Sequence, residues 1–148
     1  MFLIPFEPKP QMRPKSTIRG GHAGTYEDPK MARWRKQVTD YVKQNYVGDY
    51  YDCPIRLDVT FYMKAPKSLS EPPKPRSMQK KKDEYAKFIE EKIPHDKKID
   101  IDNLEKSVYD SISKSGIVWK DDCLIVEHTT RKVYSPNPRI EIEIEEIE

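Results

Sequence analysis

The stretch "KKIDIDNLEKSVYD", Lys97 to Asp110, sets two aspartates, Asp100 and Asp102, around one isoleucine, with Lys106 a helical turn further on. Residues two apart in an extended chain project to the same side. Two carboxylates so placed repel each other, and a divalent cation between them relieves the repulsion. Lys106 lies four residues after Asp102, on the same helical face. There it offers a fixed positive charge beside a metal, where negative charge builds on a phosphate. A plainer account makes Asp102 the N-cap of a helix opened by Asn103, and Lys106 its i,i+4 partner, worth ~0.3–0.5 kcal/mol. That account explains Asp102 well and Asp100 poorly.

A second acidic pair, Asp121 and Asp122, stands in "WKDDCL", just before a β-rich run. Gly116 to Lys120 reads as a short turn, which brings the strand start near the helix start. Only one of two adjacent strand residues faces the first pair, so one of Asp121 and Asp122 is expected as a ligand. Three carboxylates and a lysine form the constellation of Mg²⁺-dependent phosphodiester cleavage. Hard oxygens suit Mg²⁺, which keeps waters and takes phosphate oxygens as its remaining ligands. D-x-D by itself is common, and a doubled acid before a strand is often only a turn.

The elements that must hold these residues follow from periodicity. "FLIPF" reads as a short edge strand. Residues 7–27, with Pro8, Pro10, Pro14, Gly20, Gly21 and Gly24, read as a loop and a basic binding arm. A helix opens at Asp28, a cap, and Pro29, whose missing N–H costs nothing at the first helical position. Its apolar face is Met31, Trp34, Val38, Tyr41, Val42 and Tyr46, read as core. "PIRLDVTFYMK" alternates strictly, so Ile55, Leu57, Val59, Phe61 and Met63 face one way from a half-buried strand. Residues 64–95 form a charged helical excursion, its helix capped by Ser77 and anchored by Tyr85, Phe88 and Ile89. The helix after Asp102 buries Leu104, Val108 and Ile112 and stops at Gly116. Two β runs close the chain and are expected as a hairpin. The class is therefore α+β, a small mixed sheet packed with helices, in a single domain spanning 1–148.

Composition narrows the function classes. No apolar run approaches the ~20 residues of a membrane span, and "MFLIPF" lacks the features of a signal peptide. A cytoplasmic location and no membrane partner are expected. Cys53 and Cys123 are far apart and read as reduced thiols, and His22, His95 and His128 have no zinc-ligand spacing. The net charge of +2 hides a segregation: +3 over Met1 to Gly20, +5 over Lys64 to Lys98, and −4 over Arg139 to Glu148. Basic arms with an acidic tail favour a polyanion on one face.

"KKIDIDNLEKSVYDSISKSGIVWKDDCLI" resembles the signature of the RusA family of Holliday-junction resolvases, K-P-D-x-D-N-x-x-K followed a short way on by W/Y-x-D-D. "PKPQMRPK" is similar to the basic N-terminal arm of that family, and the likeness covers the chain apart from 64–95. It implies a RusA-like fold and a homodimeric, Mg²⁺-dependent endonuclease of bacterial or phage origin that cuts branched DNA, chiefly four-way junctions. It assigns metal binding to Asp100, Asp102 and Asp122, and a catalytic role to Lys106. Two departures stand out. The proline before the first acid is Ile99 here, which loosens the turn entering the site. A glutamine common after the second acidic pair is Leu124, at a position that bears on substrate contacts.

On this reading one or two Mg²⁺ ions, with Mn²⁺ as a substitute, activate a water for in-line attack on phosphorus while Lys106 steadies the developing charge. Arg13, Lys15, Lys64 and Lys98 are the candidates for contacts to the DNA backbone. Paired symmetric nicks require two sites and hence a two-fold dimer. The alternatives are a branched-DNA-binding protein without catalysis, its acids serving as caps and turns, and a small-substrate phosphohydrolase.

Overall fold

A computed structural model describes residues 1–12 and 15–148, without the side chains of Lys15 and Thr17. Arg13, an expected DNA contact, lies outside the described residues. In chain order the elements are β1 (Phe2–Ile4), β2 (Lys15–Arg19), β3 (His22–Tyr26), α1 (Pro29–Asn45), β4 (Ile55–Lys64), α2 (Lys67–Ser70), α3 (Gln79–Ile89), α4 (Ile101–Ser115), a 3₁₀ turn (Asp122–Leu124), β5 (Ile125–Ser135) and β6 (Arg139–Glu146). The class is α+β, as the order of patterns predicts. No helix among the described residues is long and apolar enough to cross a membrane.

Chain contacts group into two units. The first comprises Met1–Pro8, Arg56–Lys98 and Glu127–Glu145. It carries a four-stranded sheet in the order β1-β6-β4-β5. The alternation in β4 is realised: Ile55, Leu57, Val59, Phe61 and Met63 are all buried. On the opposite face Arg56 meets Glu145 and Tyr62 meets Glu141, so β6 runs against β4. Arg56 also meets Glu127, and Arg131 meets Asp58, so β5 runs with β4. The sheet is therefore mixed. The expected hairpin of the last two strands does not form, because β4 lies between β5 and β6. The connection contains Pro136 and Pro138, which lack the N–H a tight two-stranded turn uses and fix φ near −65°.

The 64–95 segment is less of an outlier than its charge suggests. Phe88 and Leu69 are buried, and Pro94 bridges Val133 while His95 N–H bonds to the Lys132 carbonyl at 3.0 Å. The segment's tail thus covers the open edge of β5, a common protection for an edge strand. Ile89 is half exposed and is not an anchor. Nor is Ser77 the cap: α3 begins after Met78, and the Ser77 hydroxyl accepts the Lys74 N–H instead.

The second unit, Lys9–Ile55, Ile99–Val126 and Glu146–Glu148, holds α1, α4 and the β2–β3 hairpin. The hairpin occupies chain expected as loop. Its turn is Gly20-Gly21, both at positive φ (56° and 80°), the conformation a two-residue hairpin needs and glycine permits. Asp28 caps α1 as expected, its carboxylate accepting the Lys30 N–H at 2.8 Å. Met31, Trp34, Val38 and Val42 are buried on one face of α1; Leu104, Val108 and Ile112 are buried on α4. A stripe of Ser107, Ser111 and Ser115, also buried, keeps α4 slim where α1 lies against it. Thr39 of α1 donates to the Ser111 carbonyl at 2.8 Å, and the serine hydroxyls bond back to their own helix.

Candidate active site at the start of α4

All four residues expected to carry chemistry lie in the Ile99–Val126 segment of the second unit. The segment opens on an unusual backbone. Ile99 has φ 135°, a region a β-branched residue enters only under constraint. The proline of the family motif has no access to that conformation. Asp100 follows at the N-cap position of α4, two residues before the expected cap, Asp102. Its carboxylate makes no capping bond to the first turn, and among the described residues no protein donor reaches it. Asp102 is inside the first turn rather than at the cap, with its carboxylate accepting the Asn103 N–H at 3.0 Å. Both acids stand at the positive end of the helix dipole, which favours negative charge. Both are exposed.

Lys106 does not turn back to Asp102. Its Nζ lies 3.2 Å from Asp110 Oδ1, one turn further along α4. Asp110 carries no motif position, and only its spacing of four from Lys106 marks it in the sequence. The 3₁₀ turn packs near this part of α4 and separates the roles of the two following acids. Asp121 is spent on the turn: it accepts the Cys123 N–H at 3.0 Å, and this bond, with a side-chain bond from Asp122, holds its carboxyl below the usual range. Asp122 goes the other way. Partial burial, then a side-chain hydrogen bond with Asp121, then the negative charges of Asp121 and Asp110 push its carboxyl up, while Lys106 pulls against them. The structure thus gathers Lys106, Asp110 and Asp122 into one electrostatic group, and it distinguishes Asp122 from its neighbour.

The donor chemistry fits a hard divalent cation. Asp100 has an uncommitted carboxylate, and Asp122 is crowded by like charge that a cation would neutralise. Among the described residues, however, no three His, Cys, Asp or Glu side chains stand in an ion-holding group. Of the expected DNA contacts, Lys15 lies on β2 opposite Tyr26; Lys64 ends β4 and Lys98 precedes Asp100 by two residues, both exposed.

The family described as Endodeoxyribonuclease RusA matches residues 5–145. The chain belongs to the RusA family. Its relatives include the "Uncharacterized protein YqaN" of Bacillus subtilis (strain 168), 30% identical over 146 residues, covering 99% of this chain and 95% of that protein. A second is the "Crossover junction endodeoxyribonuclease RusA" of Aquifex aeolicus (strain VF5), 23% identical over 122 residues, covering 81% of this chain and 73% of its own. The matched span takes in both acidic motifs, α4 and the sheet, so the RusA-like fold and the candidate site fall within one family-wide match.

Proposed function

We propose that this RusA-family chain is a Mg²⁺-dependent, structure-specific endodeoxyribonuclease that cuts four-way junctions and related branched DNA by paired symmetric nicks, acting in the cytoplasm as a homodimer. The whole of 1–148 serves as one nuclease domain. The observation that carries the reading is that Asp122 lies in the field of the Lys106–Asp110 pair of α4, the helix whose N-cap, Asp100, makes no capping bond. Asp110 is paired with Lys106, whereas Asp122 stands among other acids, an arrangement found at functional sites.

Asp100, Asp102 and Asp122 would hold the metal, with Mn²⁺ able to replace Mg²⁺. When bound, the metal supplies a Lewis acid for the phosphate oxygens and lowers the pKa of water at the site. Asp100 and Asp102 present their carboxylates from the first turn of α4, where exposure leaves them free to rotate onto an ion. Asp122, on the 3₁₀ turn, would supply the third carboxylate. Lys106 carries the positive charge that stabilises the dianionic transition state, and Asp110 fixes the direction of its ammonium group. Lys15, Lys64 and Lys98, together with Arg13, would neutralise backbone phosphates, giving affinity that falls with salt and carries little sequence information.

Incubation with synthetic four-way and linear duplexes, with and without Mg²⁺, tests the reading. The expected result is Mg²⁺-dependent nicking of the junction at symmetric positions, lost in Asp100→Asn and Asp102→Asn while junction binding persists. Junction binding with no cleavage by the wild-type chain under any divalent metal would instead assign it as a branched-DNA-binding protein. Cleavage by both variants at the wild-type rate would show the acids to be caps.

A further inference from the structure

Among the described side chains, neither face of the β2–β3 hairpin is covered. Every described side chain on its two strands is exposed; Ile18 is 78% exposed and Tyr26 47%. A two-stranded ribbon alone is marginal in water, and a bare branched aliphatic side chain forgoes the stabilisation of burial. The register sets Arg19 opposite His22 and Ile18 opposite Ala23. Because side chains alternate along a strand, Arg19, His22 and Tyr26 share one face, and Ser16, Ile18, Ala23 and Thr25 share the other. The chain from Pro8 to Tyr26 contains no aspartate or glutamate, yet holds Lys9, Arg13, Lys15, Arg19 and His22. Around the tip the residues are small, and a Cβ at Gly20 or Gly21 would meet nothing within 4 Å. The ribbon is therefore narrow, cationic on one face and tipped with an uncovered aliphatic group on the other. A two-stranded ribbon is an element that a DNA groove admits, and aliphatic wedges unstack base steps.

We propose that this hairpin is a wedge for branched DNA: Arg19 and His22 lie along phosphates, and Ile18 inserts against an opened base step at the branch point. The inference rests on the branched-DNA reading above. The rival occupant is a second copy of the chain. The acid-free run argues against it, since two hairpins meeting would bring like charge onto like.

The test uses the full chain in EDTA, so that no strand is cut, with a four-way junction carrying 2-aminopurine beside the branch and a matching linear duplex. Wild-type protein should raise the fluorescence at the junction branch and not in the duplex. Ile18→Leu, which keeps an aliphatic wedge, should retain that rise. Ile18→Ser should bind the junction within about threefold of wild type yet lose most of the rise. Arg19→Gln should weaken binding about three- to tenfold and reduce the salt slope by about one. An undiminished rise in Ile18→Ser, despite preferential junction binding, overturns the wedge alone. So does a fall of Ile18→Ser to half the wild-type mass by light scattering with fluorescence unchanged, which gives the face to a second copy. Equal binding of junction and duplex by the wild-type chain overturns the wedge and the branched-DNA reading together.

Discussion

On the polar face of β4, Arg56 meets Glu127 and Glu145, Asp58 meets Arg131, and Tyr62 bonds to Glu141 beneath the guanidinium of Arg139, which sits 3.7 Å over its ring. Arg139 in turn reaches Glu91 at 2.7 Å and Glu141 at 3.1 Å, and these bonds hold the Glu91 carboxyl below its ordinary range. Along α4 the logic is reversed. Asp122 is driven up by partial burial first and then by Asp121 and Asp110, with Lys106 opposing them, and Asp100 occupies a cap position without capping. The sheet uses charge to satisfy charge. On and beside α4, Asp122 keeps acidic neighbours and Asp100 makes no capping bond, and the proposed metal site rests on that difference.

That contrast is open to attack from both sides. The largest effect should come from Asp122→Asn: junction cleavage should fall about a thousandfold, measured under single-turnover conditions. The fold should not suffer. A carboxyl with a raised folded-state pKa costs the fold stability as pH rises through and above its usual range. The metal-free variant should therefore melt at or a few degrees above wild type at neutral pH, and the difference should close as acid protonates Asp122. Mg²⁺ should raise the melting temperature of wild type but not of the variant. Arg139→Ala should show the opposite pattern. Losing the stacked, half-buried guanidinium should cost about 2 kcal/mol in urea unfolding, with the cleavage rate of the folded protein unchanged.

How far the sequence discloses this arrangement depends on the range of the forces involved. Local signals read true: Asp28-Pro29 opens α1, the alternation of Ile55 to Met63 makes β4, and Gly116, at φ 70°, ends α4. Signals that depend on which strand lies beside which did not. β5 and β6 are consecutive in sequence, but their partners are chosen by β4, through pairs such as Arg56–Glu145 that no local pattern announces. The β2–β3 hairpin is hidden because its glycines, after the prolines that precede it, read as loop, although Gly20-Gly21 is itself a hairpin-turn signal. At the site, the motif names Asp100, Asp102, Lys106 and Asp122 as candidates. The Lys106–Asp110 pair follows from a spacing of four within α4, but the division of labour between Asp121 and Asp122 appears only once the 3₁₀ turn is placed against α4.

Two smaller effects sharpen the contrast. Ile99, at φ 135°, stores strain at the entrance to the site. Ile99→Gly and Ile99→Ala lose similar side-chain contacts, but only glycine relieves the backbone. The glycine variant should be the more stable by about 1 kcal/mol in chemical denaturation. Asp121→Asn keeps a side-chain acceptor for the Cys123 N–H, so it should cost a few tenths of a kcal/mol at most and leave cleavage within about threefold of wild type.

The most direct measurement is Mn²⁺ binding followed by electron paramagnetic resonance, on wild type and on Asp100→Asn, Asp102→Asn, Asp122→Asn and Asp121→Asn in the absence of DNA. The account predicts saturable binding by wild type and Asp121→Asn, weakened at least tenfold in each of the other three. Equal binding by wild type and Asp122→Asn would contradict it, because the acid on the 3₁₀ turn would then share no ion with the pair that opens α4.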